Sequence, residues 1–141
     1  MIQRIQSLWL LLAAIATGIL YKLPIYAGVL TTGASKELLV GQSYLLFIVT
    51  AVLVLFPLIS IFLFKNRSKQ KQLIWVTLLL NAVFIGLVWM QVDDFTTANQ
   101  FSSSVYKIGA GLPIVSIILL LLALGGIRKD EKLIKSADRL R

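Results

Sequence analysis

Asn81 is the residue whose type and setting ask most plainly for a partner. It stands within the charge-free stretch 73–92, and an amide inside an apolar helix must find a hydrogen bond. Thr77 lies one turn before it, and Ser60 places a hydroxyl in the neighbouring apolar stretch. Such a group could hold a polar ligand or ion at a bundle centre. The favoured reading is interhelical hydrogen bonding, worth about 0.6–2 kcal/mol per bond.

Catalysis lacks its usual carriers. The chain has no Cys and no His, which removes thiol redox relays, cysteine nucleophiles, His ligation of haem and most zinc sites. Ser7, Ser60 and Ser116 have no His or buried Lys to activate them. Asp93 and Asp94 are two adjacent carboxylates, far short of a calcium loop. No catalytic residue, cofactor or metal site is expected.

The elements that carry these residues are long apolar runs. Stretches 44–64, 73–92 and 108–127 contain no charged residue, and a shorter run covers 5–21. A helix crossing roughly 30 Å of hydrocarbon needs about 20 residues. With 141 residues, 58% of them hydrophobic and 14% charged, the chain reads as a single all-α membrane domain, a four-transmembrane-helix bundle. Its expected spans are about 5–23, 44–64, 73–92 and 108–127, with outer loops at 24–43 and 93–107, an inner loop at 65–72 and a tail at 128–141. No ionisable residue lies inside the apolar runs, which argues against a proton-coupled transporter.

Charge orients the bundle. Eleven of the 14 basic residues fall on one side: Arg4 before the first run, Lys65, Arg67, Lys69 and Lys71 in the second connection, and Arg128, Lys129, Lys132, Lys135, Arg139 and Arg141 in the tail. The alternate connections balance Lys22, Lys36 and Lys107 against Glu37, Asp93 and Asp94, so the net +8 lies on the first side. Basic loops stay cytoplasmic, which places both termini inside. Anionic lipid headgroups are the expected contacts of these cations. Nucleic acid is not an expected partner, because aromatic stacking platforms and recognised motifs are missing. Trp9 and Trp75 fall near the inner boundary, and Tyr21, Tyr26, Tyr44, Trp89 and Tyr106 near the outer one, as interfacial aromatics do.

Finer features complete the reading. Ala14-Ile15-Ala16 resembles a signal-peptide cleavage site, but the apolar run continues to Tyr21, which favours retention of the first span. Ala14 with Gly18, and Ala82 with Gly86, are small-residue pairs suited to close helix approach; Asn81, Thr77, Ala82, Ile85, Gly86 and Trp89 are expected to share one face. Pro57 should kink or adjust the second helix, and Pro113 fits a first turn. The likeness of 56–61 to 112–117 puts its serines at different depths, so no duplicated hairpin is inferred. The outer loops are expected to be solvated connectors, although 23–30 could be extended. Leu133, Ala137 and Leu140 at helical spacing predict a short cytoplasmic amphipathic C-terminal helix, with Gly125-Gly126 permitting a bend before it; plain continuation of the fourth helix is the alternative.

The segments 1–13 and 130–141, together with Tyr106-Lys107-Ile108-Gly109 and Leu112-Pro113-Ile114, resemble the domain-of-unknown-function 4293 family. The resemblance spans essentially the whole chain. It implies a small bacterial inner-membrane protein of four helices with no assigned activity and no catalytic residues to carry over. The expectation is a non-enzymatic accessory or scaffold component that binds a membrane or cytoplasmic protein through its basic face. The alternative is a carrier or channel for a small or lipidic molecule, with a cavity beneath the outer loops.

Overall fold

The computed structural model describes residues 3–99 and 101–138, with the side chains of Gln3, Arg4, Lys135, Ala137 and Asp138 left aside. Four helices form the body: α1 (Gln3–Ile19), α2 (Tyr44–Phe62), α3 (Arg67–Ala98) and α4 (Leu112–Asp138). Consecutive helices pack side by side, and α1 closes the ring against α4. Three of the four, all but α1, are long and apolar enough to cross a membrane. Large apolar side chains cover their outward faces: Phe47, Ile48, Leu79, Val83, Ile118 and Leu121 are exposed. Such a surface is out of place in water.

Each helix turns one narrow stripe inward. On α1 the stripe is Gln6, Leu10, Ala13 and Thr17, followed by Leu20 just past the helix, a spacing of three and four residues that places them on one face. Two apolar clusters result. Leu10, Ala13, Ile74, Leu120, Ala123, Leu124 and Ile127 fill the half nearer the basic residues. Leu46, Leu53, Phe84, Val88 and Val92 fill the other half, beneath Ile25, Tyr26, Leu38 and Val40.

The segments expected to be solvated connectors instead build a sheet, so the chain is mostly helical rather than all-α. Strands β1 (Tyr26–Leu30), β2 (Ser35–Leu38) and β3 (Phe101–Tyr106) are antiparallel, in the order β2-β1-β3. β1 and β2 are a local hairpin, whereas β3 arrives from the far side of α2 and α3. Extended backbone at 26–30 agrees with the open possibility for 23–30. Its pairing with β3 was not legible, because short, serine-rich strands carry little alternating pattern.

An aromatic group seats the sheet on the end of α3. Tyr26 meets Phe95 and Tyr106 edge-on at centroid distances of 6.5 and 5.0 Å, and Phe101 lies 5.4 Å from Phe95. The Tyr26 hydroxyl and Ser104 Oγ are hydrogen-bonded at 2.6 Å. Beyond the strands, the Lys107 and Gly109 amides donate to the Ile25 and Pro24 carbonyls at 2.9 and 3.2 Å. A Cβ on Gly109 would collide with the Pro24 carbonyl, so this approach requires glycine.

Three further expectations change. α4 continues without interruption through Gly125-Gly126 to Asp138, so the C-terminal segment is an extension of the fourth helix and not a separate one. Gly126 serves close packing instead, since a Cβ there would meet the Gln6 side chain at 2.9 Å. On α3 the buried face is Ile74, Thr77, Asn81, Phe84, Val88 and Val92. Ala82, Ile85, Gly86 and Trp89 are exposed, because the larger Phe84 and Val88 fill the interior and rotate the small-residue pair outward. The Ala14 and Gly18 pair does face a neighbour: Ala14 is buried, and a Cβ on Gly18 would stand 4.0 Å from Val54. Pro57 remains inside α2, and Pro113 sits at the start of α4.

Candidate functional site

The basic residues gather where α1 and α3 begin and α2 and α4 end. A tight turn at Leu63–Lys65 joins α2 to α3, and Asn66 caps α3 by accepting the Lys69 amide at 3.2 Å. The cap fixes the direction in which Arg67, Lys69 and Lys71 leave the bundle. No acidic residue stands in this first helical turn, although a helix N-terminus carries partial positive charge. Three cations at 67, 69 and 71 therefore add to a field that already favours anions.

Hydrogen bonds between helices hold this end closed. Gln6 Nε2 donates to Asp130 Oδ2 at 2.6 Å, joining α1 to α4 with both side chains buried. Gln70 Nε2 donates to the Ser60 carbonyl at 3.0 Å, joining α3 to α2. Lys71 pairs with Glu131 at 2.7 Å, joining α3 to α4. The first bond is the strongest of these, since an amide donating to a buried carboxylate is worth about 1.5–3 kcal/mol. The Lys71 pair is half-exposed, and such pairs contribute about 0–1 kcal/mol.

The consequence is electrostatic asymmetry at the surface. Asp130 is turned inward and Glu131 is engaged with Lys71, while Lys65, Lys69, Arg128, Lys129 and Lys132 are exposed and Arg67 is partly so. Leu133 and Ile134 are also exposed, on the last described turns of α4. A positive surface edged with apolar side chains suits phosphate-bearing headgroups or an acidic protein surface. Arg4 and Lys135 belong to α1 and α4 at this end; Arg139, Arg141 and Leu140 lie outside the described residues.

The polar candidates within the bundle behave otherwise. Ser60 Oγ donates to the Phe56 carbonyl at 2.9 Å, Thr77 Oγ1 to the Leu73 carbonyl at 2.7 Å and Asn81 Nδ2 to the Thr77 carbonyl at 3.0 Å. All three bonds stay within their own helix. The expected bonds between helices are thus not made by these side chains; Ser, Thr and Asn in a helix readily bond the carbonyl one turn back. Among the described residues, bonding between helices falls to Gln6 with Asp130, Gln70 with the Ser60 carbonyl and Lys71 with Glu131; no such role was expected of Gln6, Gln70 or Asp130. Their signal was present: Gln6 lies on the inward stripe of α1, and Asp130 continues the α4 stripe of Ser116, Leu120, Ala123 and Ile127.

At the opposite end, an open cavity of about 220 Å³ lies on the sheet, lined in part by Gly28, Glu37, Ser103 and Lys107. A smaller one of about 30 Å³ lies between Ile25, Phe84, Val88 and Pro113. Neither is lined by Asn81.

Residues 2–140 match the family model described as Domain of unknown function (DUF4293), and the chain belongs to that family. No curated protein and no solved structure matches it.

Proposed function

We propose that this DUF4293 protein is a non-enzymatic component of the bacterial inner membrane that binds anionic headgroups and a protein partner through its basic end. All four helices cross the bilayer in this reading. The 17 residues of α1 span about 25 Å, and the turn at 20–23 completes the crossing. Both termini and the 63–66 turn are cytoplasmic, and the sheet caps the bundle outside.

The observation that carries the proposal is that Asp130 is buried against Gln6 and Glu131 is paired with Lys71, beside exposed cations at 128, 129 and 132. This arrangement clears negative charge from a surface that would meet phosphate or carboxylate groups. The carrier alternative needs a path to Asn81, and the described cavities offer it no support.

Co-purification after mild solubilisation tests the partner. A stoichiometric companion should be recovered with the native chain and lost from the Lys129→Glu, Lys132→Glu double variant. Isolated monomer from both chains would count against the proposal. Because the chain has no Cys, single-cysteine variants test orientation directly. An impermeant maleimide applied to intact cells with a permeabilised outer membrane should label Ser103→Cys and spare Lys132→Cys; the reverse pattern would refute the assignment. Intact mass checks α1, since loss of residues 1–16 would remove the first span.

A further inference from the structure

The buried apolar residues form two distinct clusters. Every helix buries a polar side chain completely: Thr17 on α1, Thr50 on α2 between Leu46 and Leu53 of the cluster beneath the sheet, Thr77 and Asn81 on α3 and Ser116 on α4. Thr17 and Thr77 donate to carbonyls of their own helices. Thr50 Oγ1, Asn81 Oδ1 and Ser116 Oγ have no hydrogen-bond partner among the described residues. A buried polar atom left without a partner costs about 1–3 kcal/mol. Three on neighbouring helices call for a common explanation.

Helix geometry brings these atoms to the middle of the bundle. Gln70 on α3 touches Ser60 on α2; Thr50 is ten residues from Ser60 and Asn81 eleven from Gln70, about 15 and 16.5 Å along antiparallel helices. Phe84 and Pro113 line one cavity. Asn81 and Ser116 each stand three residues further toward the basic end, about 4.5 Å in both cases. Thr50 and Asn81 therefore share a height within roughly one residue's rise, and Ser116 lies near them in the middle of the bundle. All three are inaccessible, so they face the bundle interior and not its apolar exterior.

We infer that this layer is a binding site for internal water, which bridges α2, α3 and α4. Asn81 Oδ1 can only accept, whereas the Thr50 and Ser116 hydroxyls can donate and accept. A water molecule satisfies that set: one O–H donates to Asn81 Oδ1, and its oxygen accepts from a hydroxyl. Buried waters typically make about three such bonds. A cavity of about 30 Å³ lies about 4.5 Å nearer the sheet, at the level of Phe84 and Pro113; a water needs roughly 10–15 Å³. An alkali cation fits less well. The layer supplies three unpartnered neutral oxygens and no carboxylate among the described residues, too few to replace a hydration shell and without a counter-charge.

A structure in lipid nanodiscs, at a resolution that shows ordered water, tests the site. The expected result is a water oxygen within about 3.2 Å of Asn81 Oδ1 and of at least one of the two hydroxyls. Direct bonding of Asn81 Oδ1 to Thr50 or Ser116 would overturn the inference, as would a layer closed without solvent density. In the native chain by nuclear magnetic resonance, the Asn81 side-chain amide should show cross-relaxation with a long-lived water; contact with protein protons alone would refute it. Replacing choline chloride by sodium chloride at constant ionic strength should leave Tm unchanged. A sodium-dependent rise would assign the layer to a cation and reject water.

Discussion

The two ends of the bundle are closed by different physics. At the basic end, side chains reach between helices: Gln6 to Asp130, Gln70 to the Ser60 carbonyl and Lys71 to Glu131. At the other end, backbone ladders between β1, β2 and β3 bind the helix connections, with ring contacts among Tyr26, Phe95, Phe101 and Tyr106. Side-chain bonds leave the helix ends free to present exposed lysines and arginines. A ladder instead fixes the backbone itself, and its glycine contact leaves no tolerance for a methyl group. The basic end is thus arranged to display charge, and the sheet end to stay shut.

Substitutions that separate the two mechanisms should differ in size. The largest effect is expected for Gly109→Val, whose side chain has no space against Pro24. Displacing that backbone contact should cost about 3 kcal/mol or more, read as a lower Tm and faster proteolysis within 24–43, with the basic end unaffected. An unchanged cleavage pattern would mean that the Pro24 approach does not hold the sheet.

Next comes Gln6→Ala, which leaves Asp130 buried without its donor. A loss of about 1–3 kcal/mol is expected, and Asp130→Asn should lose less, because an amide can still accept from Gln6. Equal losses in both variants would show that the bond depends entirely on the carboxylate's charge. Tyr26→Phe removes the hydroxyl paired with Ser104 and keeps the ring contacts. About 0.5–1.5 kcal/mol should be lost, measured by chemical unfolding in detergent; a larger loss would give the hydroxyl a role beyond this one bond.

The smallest effect belongs to Lys71 and Glu131. Breaking this half-exposed pair with Lys71→Met should cost at most about 1 kcal/mol, and the double exchange Lys71→Glu, Glu131→Lys should recover most of it. Added salt should narrow the gap between native and variant chains. A gap that persists in high salt would indicate packing by the lysine stem as its source.

Much of the architecture was legible because it rests on local chemistry. Charge-free runs near 20 residues mark α2, α3 and α4, and the sidedness of Lys65, Arg67, Lys69, Lys71, Arg128, Lys129 and Lys132 follows from their place between runs. The amide of Asn81 stood out as a polar atom in an apolar stretch, and it is indeed fully buried. What it bonds to was less legible. A Thr77 carbonyl one turn away competes with every atom on a neighbouring helix, and sequence spacing alone does not say which wins.

By itself, the sequence determined which segments are apolar helices, where the positive charge collects and that Cys and His chemistry is absent. Those properties follow from residue type and short-range spacing. Only the tertiary structure decided that 101–106 returns to pair with 26–30, that α4 runs on through its glycines to Asp138, and that Gln6 meets Asp130 across 124 positions. Each of these joins segments distant in the chain. Their partners are selected by shape, register and the space left by neighbours, and a one-dimensional pattern does not contain that information.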